Sequence, residues 1–147
     1  KRITHTQAMM NIAQTLAKRS PDISRQVGAI LTENGFIVGA GYNGPPSGMK
    51  HDKVDIRKVR GYKSGEALDL SRAIHAEQNA IMQSGIRTRS DKFLELFVTS
   101  SPCIECAKLI IQAGINRVVY ADAYRLSDGV DLLRRAGIEL VNVELNG

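Results

Sequence analysis

Two short segments of the sequence carry side chains that bind metals: IHAEQNA, which contains His75 and Glu77, and SSPCIECAK, which contains the chain's two cysteines, Cys103 and Cys106. Cysteines at positions i and i+3 lie on the same side of one helical turn, so both thiols can bind a single zinc ion. With His75 as a third ligand, a fourth position stays open. Three protein ligands and one open position are typical of a catalytic zinc site.

Such a site would generate a nucleophile from water, because zinc lowers the pKa of bound water to about 7. Glu77 is the predicted catalytic residue, since a carboxylate two positions from a ligand can take the water's proton and pass it to a substrate. The sequence matches both halves of the H-x-E and P-C-x-x-C signature of zinc-dependent nucleobase deaminases. Because each motif is expected at a helix start, where the dipole lowers a cysteine's pKa, both thiols are predicted to be thiolates.

Two other interpretations of these residues explain less. A structural zinc site needs four protein ligands, but the chain has no further cysteine, and its other histidines are His5 and His51. A redox dithiol accounts for the C-x-x-C spacing but leaves His75 and Glu77 without a role. The sequence therefore favours a catalytic zinc, one per chain.

Composition narrows the class of protein. The 147 residues fit a single domain spanning 1–147, with 43% hydrophobic and 24% charged residues. No run approaches the roughly 20 apolar residues of a membrane helix, and no secretory signal is recognised, which predicts a cytoplasmic protein. A net charge of +5 favours anionic partners, either nucleic acid or a phosphorylated metabolite. The 5% aromatic content and the absence of tryptophan argue against stable nucleic-acid binding.

The order of predicted elements indicates an α/β fold. A first helix over residues 4–19 precedes two β-rich runs that flank the turn sequence ENG, which predicts a hairpin. A long charged loop is predicted over about 44–72. Helices and strands then alternate: a helix closed by Gly85, a buried strand, a helix closed by Gly114, a strand, a further helix and a last strand over 138–145. This alternation predicts a mixed central sheet of about five strands with helices on both faces.

The segments QVGAIL, GAGYNGPPSG, HAEQNAIMQSG and SPCIECAKLIIQAGI resemble the deoxycytidylate (dCMP) deaminases of the zinc-dependent cytidine deaminase family. The resemblance runs from about Ile12 to Val143. It implies a three-layer α/β/α cytidine-deaminase fold and a hydrolase of pyrimidine nucleotide biosynthesis that converts dCMP to dUMP and ammonia. The zinc motifs alone also fit deaminases of other bases or nucleosides, including tRNA adenosine. A nucleotide-binding sensor without turnover is the alternative outside enzymology.

The resemblance also implies roles around the base. Glu77 would shuttle protons between the zinc-bound water and the cytosine. The backbone N–H of Ala76 would hold the base carbonyl, and the carbonyl of Ser101 would accept a hydrogen bond from the departing amine.

Four further residues are candidates for the rest of the nucleotide. Asn43 in GYNG is expected to bond the 3′-hydroxyl, since its amide both donates and accepts, although a turn asparagine is the alternative. Arg25, assisted by Ser24, is expected to bind the 5′-phosphate through a bidentate guanidinium, although a surface arginine is the alternative. Tyr124 would pack on the nucleotide or serve as a buried structural residue.

The same resemblance implies regulation and assembly. dCTP would activate the enzyme and dTTP inhibit it, with Mg²⁺ accompanying the triphosphate and with Asn43, Gly44 and Gly48 at the effector site. The expected assembly is a homohexamer. The partners are then small nucleotides, with no membrane and no stable nucleic acid.

Overall fold

The computed structural model describes residues 1–22, 24–50, 60–61, 63, 72–85, 91–122 and 128–145. These ranges contain four helices, α1 (His5–Ala17), α2 (Ala76–Ser84), α3 (Ile104–Gln112) and α4 (Asp128–Arg135), and five strands, β1 (Gly28–Glu33), β2 (Phe36–Tyr42), β3 (Leu94–Ser100), β4 (Arg117–Asp122) and β5 (Glu139–Asn142). The predicted order of elements is confirmed. Most of the predicted loop over about 44–72 lies outside the described residues. No helix in the described ranges is long and apolar enough to cross a membrane.

Local sequence signals explain the first three elements. Thr4 caps α1, because its side-chain oxygen accepts the backbone N–H of Gln7. The predicted hairpin is confirmed: Asn34 and Gly35 take positive φ angles of 50° and 87° between β1 and β2, as a two-residue turn of this kind requires. The turn also binds the start of β3, since the Asn34 N–H donates to the carbonyl of Phe93.

The five strands form one mixed sheet in the order β2-β1-β3-β4-β5. β1 is antiparallel to both β2 and β3, whereas β3, β4 and β5 are parallel to one another. α3 and α4 make the crossovers between the parallel strands, as predicted. β3 is the central strand and every one of its residues is buried.

Helices cover both faces of the sheet, which confirms the predicted three layers. On one face, Met10 and Ala13 of α1 pack against Ile30, Phe97 and Val119. On the other face, alanine and branched side chains of α2, α3 and α4 pack against the alternate strand residues, among them Leu31, Leu96, Val98 and Val118. This alternation follows from the two-residue period of a strand.

Two predicted element spans are corrected. α1 spans 5–17 rather than 4–19, and β5 spans 139–142 rather than 138–145. β5 is an edge strand, so it has pairing partners on one side only. The predicted closure at Gly114 is confirmed: α3 ends at Gln112 with Ala113 as its C-cap, and Gly114 follows in the left-handed conformation with φ 78°. The end predicted at Gly85 is confirmed, with Gly85 in the left-handed conformation as the C-cap of α2.

A row of charged side chains crosses the α1 face near the start of the parallel strands. Glu95, Arg117 and Glu139 occupy paired positions on β3, β4 and β5. The Arg117 guanidinium forms ion pairs with both carboxylates, and the Glu95 side chain is buried whereas that of Glu139 is exposed.

Candidate active site

The predicted metal ligands lie at two helix N-termini that meet where the parallel strands β3 and β4 end, which is the edge of the sheet meant below. His75 is the N-cap of α2 and Cys103 is the N-cap of α3, both in extended backbone conformations. Cys106 lies in the first turn of α3 and is buried. Because a helix N-terminus carries a partial positive charge, both helices favour negative charge between them.

The approach of α2 to the sheet fixes His75. A side chain at Gly41 of β2 would place its Cβ 2.7 Å from the Cβ of Asn79, so only glycine allows α2 to lie this close. Just before His75, the backbone groups of Gly44 and Ile74 pair, at 3.1 and 2.7 Å. The His75 N–H donates to Oε1 of Gln78 at 2.7 Å, which holds the N-cap backbone.

A similar close approach fixes Cys103. At Gly129 in the first turn of α4, an added Cβ would lie 2.1 Å from the carbonyl oxygen of Pro102 and 2.6 Å from the carbonyl carbon of Cys103. The backbone of α4 therefore rests directly on the turn that carries this ligand.

The ligand atoms fit a zinc ion. Nδ1 of His75 lies 3.1 Å from Sγ of Cys106 and 3.4 Å from Sγ of Cys103, and all three atoms lie within 4.8 Å of one another. Tetrahedral zinc with ordinary Zn–N and Zn–S distances separates such ligand atoms by about 3.6 Å. The predicted ligand set is therefore brought together in a geometry that zinc accepts with little adjustment.

The two thiols titrate very differently. The hydrogen bond from Cys106, helped by the one from His75, lowers the pKa of Cys103 to about 4. The same hydrogen bond together with burial raises the pKa of Cys106. The lowered pKa of Cys103 agrees with its predicted thiolate form, whereas the thiolate form of Cys106 stays a prediction that depends on the metal. Zinc binding would displace the remaining proton from Cys106.

Glu77 lies in the first turn of α2 with 4% of its surface exposed. Burial raises its pKa to about 7, although the neighbouring His75 opposes the shift. A carboxyl group with a pKa near 7 can accept and release a proton at neutral pH, which suits a proton shuttle. Ala76 and Ser101, the two predicted backbone contacts to the base, are buried beside this edge.

The predicted sugar and phosphate residues lie at the same edge, because β1 begins and β2 ends there. Ser24 and Arg25 are half-buried in the turn before β1. Asn43 is 8% exposed, and its amide bonds backbone: Nδ2 donates to the Arg25 carbonyl at 2.7 Å, and Oδ1 accepts the Val27 N–H at 2.9 Å. Tyr124 lies outside the described residues.

The sequence interpretation missed residues that hold this turn in place. Oδ1 of Asp22 accepts the N–H groups of Ser24 and Arg25, at 2.8 and 3.0 Å. The hydroxyl of Ser20 donates to the Asn43 carbonyl at 2.8 Å. An aspartate two residues before Ser24 is a recognisable turn signal, whereas the role of Gly129 depends on tertiary contact and leaves no local signal.

Comparison with known proteins finds zinc-binding deaminases among those similar to this chain. Residues 3–122 match the family described as "Cytidine and deoxycytidylate deaminase zinc-binding region". The deoxycytidylate deaminase of Schizosaccharomyces pombe is 34% identical over 89% of this chain, and the chain spans 41% of that protein's length. The deoxycytidylate deaminase of Enterobacteria phage T2 is 31% identical over 92% of this chain, which spans 90% of that protein.

A solved structure confirms the predicted cytidine-deaminase fold. The crystal structure of dCMP deaminase from the cyanophage S-TIM5 in complex with dCMP and dUMP matches with a TM-score of 0.75 at 34% identity. The match covers 97% of this chain and 99% of the phage chain.

Proposed function

We propose that this chain, which belongs to the family of zinc-binding cytidine and deoxycytidylate deaminases, is a single-domain enzyme that hydrolyses dCMP to dUMP and ammonia. The observation that carries the proposal is a set of three zinc-type ligands, His75, Cys103 and Cys106, next to the buried carboxyl of Glu77. The dCMP and dUMP bound to the S-TIM5 relative support the choice of substrate.

The chemistry divides between the metal and the chain. Zinc at this site would supply a Lewis acid that ionises water at neutral pH. Glu77 takes one proton from the attacking water and delivers it to N3 of the cytosine while the oxygen bonds to C4. Glu77 then moves the second proton of that water to the amino group, which leaves as ammonia. The products balance, because dUMP keeps the proton on N3 and the oxygen on C4.

Two backbone groups would orient the base. The N–H of Ala76 lies in the first turn of α2, where helix geometry leaves amide groups without intrahelical acceptors, and it would donate to the base carbonyl. The carbonyl of Ser101, the residue directly after β3, would accept a hydrogen bond from the amine that departs. These contacts would align C4 with the incoming oxygen.

For the rest of the nucleotide, we assign the 5′-phosphate to Arg25 and Ser24 and the 3′-hydroxyl to Asn43. The Asn43 amide can form the sugar contact because each of its two polar atoms can make one bond beyond those to Arg25 and Val27. Comparison of dCMP with its 2′,3′-dideoxy analogue tests the sugar contact, since loss of the Asn43 amide should abolish the preference for dCMP. An unchanged preference in Asn43→Ala would contradict it.

Regulation and assembly form a separate proposal: activation by dCTP with Mg²⁺, inhibition by dTTP, and a cytoplasmic homohexamer. The effector site would include Asn43, Gly44 and Gly48. Its support is the short path from this loop to the zinc ligands, since the Gly44 backbone pairs with Ile74 next to His75. A response of dCMP turnover to both triphosphates, and a hexameric mass by light scattering, are expected. A rate of dCMP turnover that does not change on addition of dCTP or dTTP would contradict the proposed regulation.

The decisive experiment for the activity measures ammonia release by zinc-quantified protein. dCMP, deoxycytidine, CMP and a tRNA anticodon stem-loop are offered in parallel, with Glu77→Gln protein as the control. Turnover of dCMP well above the other three supports the proposal. Turnover of the stem-loop alone would support the zinc chemistry but refute dCMP as the substrate. Nucleotide binding without any turnover would refute the proposal that the chain is an enzyme.

A further inference from the structure

The turn that carries Arg25 is held by a dense set of side-chain to backbone hydrogen bonds. Asp22 binds the Arg25 N–H from one side, and Asn43 binds the Arg25 carbonyl from the other at 2.7 Å. One residue on, the exposed side chain of Gln26 reaches back to the Ser20 carbonyl at 2.9 Å. Both polar groups of the Arg25 backbone are therefore fixed by side chains from outside the residue.

Asn43 is the link between this turn and the metal site. Its side chain forms hydrogen bonds with the backbone of Arg25 and Val27, and its backbone carbonyl accepts a hydrogen bond from the Ser20 hydroxyl. The next residue, Gly44, forms the backbone bridge to Ile74, which directly precedes His75. One short stretch of chain thus joins the segment that carries Arg25 to the segment that carries the predicted zinc ligand His75.

From this geometry we infer that Asn43 is a positioning residue for phosphate recognition: its amide fixes the Arg25 backbone at a set distance from the metal site and so selects the nucleoside monophosphate over the nucleoside. The inference rests on the proposed function, and it is distinct from a contact between Asn43 and the sugar. A guanidinium binds phosphate through two directional bonds, so a shift of its backbone weakens both at once.

Two variants separate the inference from simple destabilisation. Asn43→Asp keeps the acceptor for the Val27 N–H but turns the donor to the Arg25 carbonyl into an oxygen, and Asn43→Ala removes both bonds without adding charge. The matched control is Asn116→Ala, because Asn116 also binds a buried backbone N–H, that of Leu94 at 2.8 Å, at the opposite end of β3.

The measured quantity is the ratio of kcat/KM for dCMP to that for deoxycytidine. Both Asn43 variants should lower this ratio about tenfold, mainly through KM for dCMP, whereas Asn116→Ala should leave it unchanged. In an Arg25→Ala background the Asn43 variants should change the ratio by less than about twofold, since positioning an absent guanidinium has no effect. Equal losses on both substrates, or an undiminished loss in the Arg25→Ala background, would overturn the inference.

A measurement without substrate tests the hold of the Asn43 amide on the backbone of Arg25 and Val27, which we call the clamp, separately from the proposed function. Hydrogen exchange of the Val27 amide should accelerate by at least about tenfold in Asn43→Ala and stay at the wild-type rate in Asn116→Ala. An unchanged exchange rate of the Val27 amide would show that the Asn43 side chain does not hold this backbone. Absence of dCMP turnover in wild-type protein would refute the proposed function and, with it, the phosphate role of the clamp.

Discussion

Replacing Gly129 with alanine tests whether α4 holds a zinc ligand in place. The new Cβ would lie 2.1 Å from the Pro102 oxygen, and 2.6 and 2.7 Å from the carbonyl carbon and oxygen of Cys103. Ordinary contacts between such atoms are about 3.3 Å or longer, so α4 and the Cys103 turn must separate by roughly 1 Å. All three close atoms belong to the backbone, which cannot rotate away as a side chain does.

The size of the effect follows from two opposing terms. Alanine has a higher helix propensity than glycine by about 1 kcal/mol, which would stabilise α4. Overpacking against a fixed backbone costs about 1–3 kcal/mol, so the expected net change is a loss of up to about 2 kcal/mol in the free energy of unfolding. Because the displaced turn carries Cys103, zinc affinity should also fall by about 10–100-fold, as it does when the groups that orient metal ligands are lost.

The assay combines zinc competition against a chromophoric chelator with urea unfolding of the zinc-free protein. Gly137→Ala is the matched control: Gly137 follows α4 with φ 80° and has no atom near an added Cβ. Its replacement should cost about 1–2 kcal/mol through backbone strain alone and leave zinc affinity unchanged. Wild-type zinc affinity in Gly129→Ala, or an equal loss of affinity in Gly137→Ala, would refute the argument.

Three further predictions concern the site and the sheet. Glu77→Gln should keep one zinc per chain by metal analysis and lower ammonia release from dCMP by at least about 10²-fold; a near-normal rate would rule out the proton shuttle. Arg117→Ala should lower the free energy of unfolding in urea by about 3 kcal/mol, because the buried Glu95 carboxylate loses its ion-pair partner. Glu139→Ala on the exposed side should cost less than about 1 kcal/mol, and equal losses would contradict this difference. Chelation of zinc should lower Tm, and added zinc should restore it in a concentration-dependent way; a Tm independent of zinc would argue against the site.

The sequence could predict features whose causes are local. The Asn34-Gly35 turn, the helix end at Gly85 and the two ligand motifs each depend on a few neighbouring residues, and the structure has them as predicted. The partners of Asn43 were not predictable in this way. Its amide binds Arg25 and Val27, which lie 18 and 16 residues earlier, so the pairing depends on how β1 and β2 align.

Chain topology explains why the chemistry collects at one edge of the sheet. A helix that leads into a parallel strand runs antiparallel to that strand, so α2, α3 and α4 all begin at the edge where β3 and β4 end. Three helix N-termini therefore meet there, two carrying the zinc ligands and the third resting on Cys103 through Gly129. β1 is antiparallel to β3, so Arg25 enters at the same edge. The partial positive charge of these helix ends acts on the region between them, and Arg25 adds a cationic residue to the same edge. Both features favour negative charge there.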